Sequence, residues 1–201
     1  MSREVHVRFC ERRGVRFPPP TLLLVLCRSR ARAEQARRRV AEILATLGLV
    51  LHPDKTRIAR LTRGQEGVDF LGFHLRKVES WRWRGHYYLQ RWPSDRAMAA
   101  IRAKIREVTD RRYVGLSVEM VVTNLNRVLR GWGAYFRYGN SARKFTVIDS
   151  YVHERLAIFA STKHGLAGRN WQRRFTWAWC GRLGVYRLHG TVRYGTAHAL
   201  R

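Results

Sequence analysis

Fourteen acidic residues are spread over 201 positions, and no two of them are adjacent. Two-metal phosphoryl transfer needs carboxylates gathered closely enough to hold two cations a few ångströms apart. The first aspartate is Asp54, and Asp54, Asp69, Asp95, Asp110 and Asp149 each stand singly in a different stretch. Helix caps and surface salt bridges account for such isolated acids better than a metal cage does. Cys10, Cys27 and Cys180 lie far apart, with no CxxC and no Cys/His group at zinc-finger spacing. They read as reduced thiols, buried or incidental, in a cytoplasmic protein. The sequence therefore offers no catalytic residue, and no metal or other cofactor is expected.

The chemistry it does offer is electrostatic. Thirty-five arginines and five lysines give a formal net charge of +26 and a pI near 11.6. Such an excess opposes self-compaction and calls for a polyanion, with nucleic acid the first candidate. Arginine suits bidentate contacts to phosphate. An anionic membrane fits less well, because the basic residues are spread over several segments and not gathered beside one anchor. The longest apolar run, Thr21 to Cys27, is too short to span a bilayer. Arg28, Ser29 and Arg30 follow it directly, which argues against a cleaved signal peptide. No membrane partner is expected.

The stretch best built to hold such a ligand is Val118 to Asn140. Val118, Val121, Leu125, Val128 and Trp132 recur three or four apart, one stripe of an amphipathic helix. Thr123, Asn126, Arg127 and Arg130 face elsewhere, and Gly131 and Gly133 are expected to loosen the helix end. Trp132, Tyr135, Phe136, Arg137 and Tyr138 then form an aromatic and basic cluster. Arginine pairs with phosphate, and rings and guanidinium planes stack on exposed bases. The plain alternative is a core helix whose charges merely meet water.

Other elements must position that helix. Residues 1–20 are basic, lack apolar periodicity and end in Pro18, Pro19 and Pro20, which forbid a regular helix or central strand. Thr21 to Cys27 reads as a short buried strand. Ser29 should cap a helix with a stripe at Ala33, Ala36, Val40, Ile43 or Leu44, and Leu47, stopped by Gly48. LVLHPDKTRIARL and VDFLGFHLR read as antiparallel strands that complete an α/β unit. Trp81, Trp83, Tyr87, Tyr88 and Trp92 alternate with Arg82, Arg84, His86 and Arg91 in a strand-like ribbon, about half of whose rings should be core.

Ser94 and Asp95 open the next helix, with Met98, Ile101, Ile105 and Val108 inward and Arg102, Lys104, Arg106, Arg111 and Arg112 outward. Few acids balance that outer face, which favours phosphate over plain solvent. After the central helix a third begins near Ser141, with Phe145, Ile148, Val152, Leu156 and Phe159 as its stripe and His164-Gly165 as its end. Three stripes joined by short loops make a small helical bundle. The tail, with Trp171, Phe175, Trp177 and Trp179 before GRLGVYRLHGTVRYG, reads as a helix then a hairpin packed on the bundle.

LNRVLRGWGAYFRYGNSARKF resembles the maturase-specific (thumb, or X) region of group II intron reverse transcriptase/maturases, and GLVLHPDKTRI and VDFLGFHLR resemble the last palm segments of the same family. The three blocks occur in the family's order, and the likeness covers about Leu22 to Arg201. It implies an α+β chain: 1–20 outside the family pattern, 21–92 a partial palm of strand, helix and hairpin, 93–165 a three-helix thumb/maturase bundle, and 166–201 a small aromatic extension.

In that family a Tyr-Ala-Asp-Asp turn precedes a strand like LLLVLC and holds two magnesium ions. Pro18-Pro19-Pro20-Thr21 stands there instead. The resemblance thus implies the C-terminal fragment of a reverse transcriptase, inactive as a polymerase alone. Mg2+ would enter only through a complementing catalytic palm. Lys55 matches the lysine near the polymerase nucleotide site, with a surface lysine as the plainer role. Leu71, Gly72, Phe73 and His74 match the primer-grip hairpin, with a β-bulge in a core hairpin as the alternative. The family often appends an HNH nuclease, but His189, His198 and Cys180 lack its pairing.

The expected partner is structured RNA, with group II intron RNA implied by the resemblance. Arg102, Lys104, Arg106, Arg111, Arg112, Arg127, Arg130, Arg137, Arg143 and Lys144 would hold phosphates. Asn126, Tyr138 and Asn140 would read sugars or unpaired bases. The RNA would do the splicing chemistry, in the bacterial cytoplasm as a nucleoprotein. A DNA target, or a separate N-terminal reverse-transcriptase half that completes a split polymerase, are further partners to test. An inert relic of a mobile element is the remaining alternative.

Overall fold

The computed structural model describes residues 23–53, 56–59, 67–166 and 174–194. The chain divides into two compact units, Met1–Arg91 and Trp92–Arg201. It is mixed helix and sheet, as the α+β expectation requires.

In the first unit, helix α1 (Arg30–Thr46) begins where expected: the Ser29 hydroxyl accepts the Arg32 backbone N–H, and Gly48 adopts φ 66° just past the end. Its stripe is not covered as expected. Ala33 alone is buried, while Ile43 and Leu47 are 51% and 61% exposed. The expected strand Thr21 to Cys27 is also corrected. Thr21 lies outside the described residues, and 23–27 form no ladder, with Leu23 and Leu26 exposed. A strand needs a neighbour to satisfy its N–H and C=O groups, and none lies alongside it among the described residues.

The antiparallel pair lies within VDFLGFHLR itself. Strand β1 (Val68–Phe70) and strand β2 (Phe73–Glu79) pair with Val68 opposite Leu75, Asp69 opposite His74 and Phe70 opposite Phe73. Residues 49–53 and 56–59 of the preceding segment are not strand. The two-residue connection has Leu71 at φ 47° and Gly72 at φ 78°. Positive φ at both central residues is the type I′ geometry that matches strand twist. Gly72 is thus a turn residue, not a bulge. Strand β3 (Tyr87–Pro93) completes a three-stranded sheet in the order β1-β2-β3. A small cluster of Ala59, Val68, Leu24, Phe70 and Leu75 packs here.

The second unit holds the larger core. Helix α2 (Asp95–Val108) is capped by Ser94, whose hydroxyl accepts the Ala97 N–H at 3.2 Å, with Asp95 at the positive dipole end. Met98, Ile101 and Ile105 are buried. After a 3-10 turn (Arg111–Tyr113), helix α3 (Val118–Phe136) starts on a Ser117 cap. Its buried side is Val118, Val121, Val122, Leu125, Leu129, Gly133 and Phe136. Val128 and Trp132, expected inward, are half-buried. The core-facing line drifts round the helix because 3.6 residues per turn do not repeat on strict threes and fours. The glycines do not end α3, which runs on past both.

Helix α4 (Ala142–Lys163) buries all five expected residues, Phe145, Ile148, Val152, Leu156 and Phe159, and ends at His164 with Gly165 at φ 63°. Helix α2 packs against both α3 and α4. Trp132 and Phe145 meet at 5.4 Å between ring centres. Removing Phe145, fully buried, would cost about 3–5 kcal/mol.

The tail adds helix α5 (Trp177–Arg182), and among the described residues up to Tyr194 irregular chain follows where a hairpin was expected. Phe175 packs with Ala157, Ala160, Leu166 and Trp179. Among the described residues no helix is long and apolar enough to cross a membrane.

Candidate nucleic-acid interface

The basic side chains of the second unit divide by what holds them. On α2, Arg102 is exposed and lies 5.8 Å over the Tyr151 ring of α4. Lys104 is neutralised by Glu107 at 2.9 Å. Arg106 is exposed. In the 3-10 turn Arg111 is exposed, while Arg112 pairs with Asp110 and lies over Tyr113. The Arg112 backbone N–H, then its guanidinium, hold the Asp110 carboxyl below the usual carboxylate range.

On α3, Arg127 is exposed, and Arg130 lies 4.6 Å over the Tyr186 ring of the tail. The Arg137 guanidinium donates to the Tyr138 hydroxyl at 3.1 Å and sits 5.1 Å over its ring. That hydrogen bond, then the charge behind it, pulls the Tyr138 phenol below the ordinary tyrosine range, and Arg193 adds to the pull. Tyr138 forms a parallel bridge to Arg193, whose N–H donates to the Arg137 carbonyl at 2.7 Å. Arg137 Nε is buried with no hydrogen-bond partner. Asn140 and Arg143 are exposed, and Lys144 reaches Asp95 at 3.1 Å.

None of the ion pairs among the described residues uses Arg102, Arg106, Arg111, Arg127, Arg130, Arg137 or Arg143. Seven guanidinium groups thus stand on one unit without a carboxylate paired to them among the described residues. They are not one cluster of touching groups. The Arg102 guanidinium rests over Tyr151 of α4, that of Arg130 over Tyr186 of the tail, and Arg137 joins Tyr138 and Arg193.

Two expected residues carry structural duties that the sequence hid. The Asn126 side-chain oxygen accepts the Tyr186 N–H at 2.7 Å and its nitrogen donates to the Gly184 carbonyl at 2.8 Å. Its amide anchors the tail. Asp149, expected on the surface, is 4% exposed and accepts backbone N–H groups from Leu188 and His189. Nearby cations serve the frame as well. Arg155 donates to the Thr109 hydroxyl and carbonyl, and Lys163 to the Val114 carbonyl, which satisfies chain ends beyond α2. Tyr151, Tyr186 and Arg193 escaped the sequence reading because no motif marks a ring or cation that acts across elements.

In the first unit, the primer-grip-like residues sit in the β1–β2 hairpin. His74 Nδ1 lies 2.7 Å from the Asp69 carboxylate across the strands. Lys55 and His198 lie outside the described residues. Cys180 is buried, which pushes its thiol up to about 11, and Cys27 is half-buried. The His189 ring lies 3.4 Å from the Thr146 hydroxyl. Among the described residues no group of three or more His, Cys, Asp or Glu could hold a metal ion.

Comparison with curated proteins gave no match. Residues 98–177 match the family model of the group II intron, maturase-specific domain. The matched span runs from inside α2, through the whole of α3 and α4, to the first residue of α5. All or part of each of those three packed helices lies inside the match, so this helical stretch is similar to a group II intron maturase-specific domain.

Proposed function

We propose that this chain is an RNA-binding maturase-type protein of the cytoplasm that grips structured group II intron RNA, assists its folding and splicing, and does not polymerise nucleotides by itself. The carrying observation is the set of seven arginines on the helical unit that no acid among the described residues pairs with. A guanidinium left without a carboxylate has phosphate as its natural counter-charge. Contacts to about 6–10 phosphates would lower affinity roughly 10³- to 10⁵-fold between about 50 and 200 mM salt. Filter binding of intron RNA across that range tests the reading, and a nearly flat titration rejects it.

One observation favours a second reading. Leu23, Leu26, Ile43, Leu47 and Val50 are all exposed on the first unit. An apolar surface of that kind suits completion by a separate catalytic palm, which would also bring the Mg2+ cage. Primer extension by the chain mixed with such a half tests it, and no extension with both present excludes it.

A further inference from the structure

The loop between β2 and β3 presents Trp81 and Trp83 at 90% and 64% exposure. It is a built loop. Ser80 N–H donates to the His86 carbonyl at 2.7 Å, and His86 N–H to the Trp83 carbonyl at 3.1 Å. Gly85, at φ 82°, donates its N–H to the Glu79 carboxylate at 2.8 Å. The single acid of the loop base is thus turned to holding the turn, while Arg82 and Arg84 enter no ion pair among the described residues. Tyr87 and Tyr88, at the start of β3, are 39% and 42% exposed. The expectation that half of the rings of Trp81, Trp83, Tyr87, Tyr88 and Trp92 would be core is corrected, since the first four are exposed and Trp92 is only half-buried.

Two exposed indoles cost solvation that a lone surface ring need not explain, and here each is followed by a guanidinium. From this juxtaposition of Trp81 and Trp83 with Arg82 and Arg84 we infer that the β2–β3 loop is a stacking site for unpaired nucleotides of a single-stranded nucleic acid. Indole faces accept any base, and the interleaved guanidiniums meet the phosphates between bases. A duplex offers no free base face, so the loop should ignore it. Seating both rings in acyl chains would drag Arg82 in with them, which disfavours a membrane as the occupant. The loop belongs to the first unit, and the inference rests on the reading above only in taking nucleic acid as the polyanion.

The test uses the full chain and a 12-nucleotide oligo-uridylate. The double variant Trp81→Ala/Trp83→Ala should lose affinity about tenfold or more, with the thermal transition and duplex RNA binding unchanged. Trp81→Phe/Trp83→Phe should restore most of it. Unchanged oligo-uridylate affinity in the alanine variant, an equal loss for duplex RNA, or binding to phosphatidylglycerol vesicles in preference to the oligonucleotide would each overturn the inference. Intron RNA binding with and without Arg106→Ala/Arg127→Ala/Arg143→Ala is measured in parallel. Its loss in the arginine variant alone leaves the helical reading standing even where the tryptophan variant does nothing.

Discussion

The carboxylate of Asp149 on α4 lies 2.9 Å from the backbone nitrogen of Leu188, thirty-nine residues later in the chain. The other carboxylate oxygen accepts the His189 N–H at 2.8 Å. Leu188 is itself fully buried. One side chain therefore satisfies two successive backbone donors and seats an apolar plug beside them.

Replacing Asp149 by Asn keeps the shape but sets an NH2 against a backbone N–H. One donor is left unsatisfied in a buried place, at about 1–3 kcal/mol. Burial pushes the Asp149 carboxyl above its ordinary range despite the two donors. The native state then holds this proton more tightly than the unfolded chain. Stability from this group is fullest below the unfolded aspartate pKa of 3.8 and falls as pH rises through the raised value. The gap in Tm between wild type and Asp149→Asn should therefore narrow from acid towards neutral pH. A gap that widens would show that the two N–H bonds outweigh desolvation.

Gly131 and Gly133 are two residues apart on α3 and should respond oppositely to alanine. A Cβ at Gly133 would meet Leu188 Cδ2 at 2.6 Å and Tyr186 Cε1 at 3.8 Å. Overpacking there should cost about 1–3 kcal/mol and loosen the tail. A Cβ at Gly131 meets nothing within 4 Å. Gly131→Ala should stabilise by about 1 kcal/mol, since alanine loses less backbone freedom in a helix. Urea unfolding of the two variants checks the pair.

These contacts mark where the sequence stopped being legible. Local rules placed Ser29 and Ser94 as caps and all five inward residues of α4, because hydroxyl capping and a 3.6 period act within one or two turns. The resemblance implied the hairpin at Leu71 to His74 that the structure has, while its alternating pattern alone read as a strand, since leucine is a poor marker of the positive φ at Leu71. Asn126 and Asp149 read as an RNA contact and a surface acid. Their partners are backbone groups of the tail, and a backbone group leaves no signature in residue identity. Exposure of the Ile43 and Leu47 side of α1 was illegible for a related reason, since an apolar stripe says that a helix can be covered but not that it is. At the candidate interface the residue types were readable. Which arginines keep their charge uncompensated was not, because Glu107 and Asp95 choose their partners in three dimensions.

Tyr138 should titrate below the ordinary tyrosine range. Arg137 donates to its hydroxyl and so favours the phenolate. In a spectrophotometric titration, Tyr138→Phe should remove the phenol that ionises below the ordinary tyrosine range. Arg137→Ala should move that phenol back up. A lowest-titrating phenol that survives Tyr138→Phe would assign the effect to another ring.

Charge alone does not decide which cations matter for RNA; compensation does. Arg106, Arg127 and Arg143 are exposed and enter no ion pair among the described residues. Lys104 is equally exposed but already holds Glu107 with both carboxylate oxygens, at 3.0 and 2.9 Å. Removing an uncompensated cation that meets phosphate should reduce the slope of log affinity against log salt by about 1. Arg106→Ala/Arg127→Ala/Arg143→Ala should thus flatten the slope by about 3 units, while Lys104→Ala changes it little, because its loss also frees an acid to repel the RNA only weakly through solvent. Salt titrations of intron RNA binding with the two variants side by side measure this. Equal slopes for wild type and the triple variant would mean that the helical unit meets RNA through other residues.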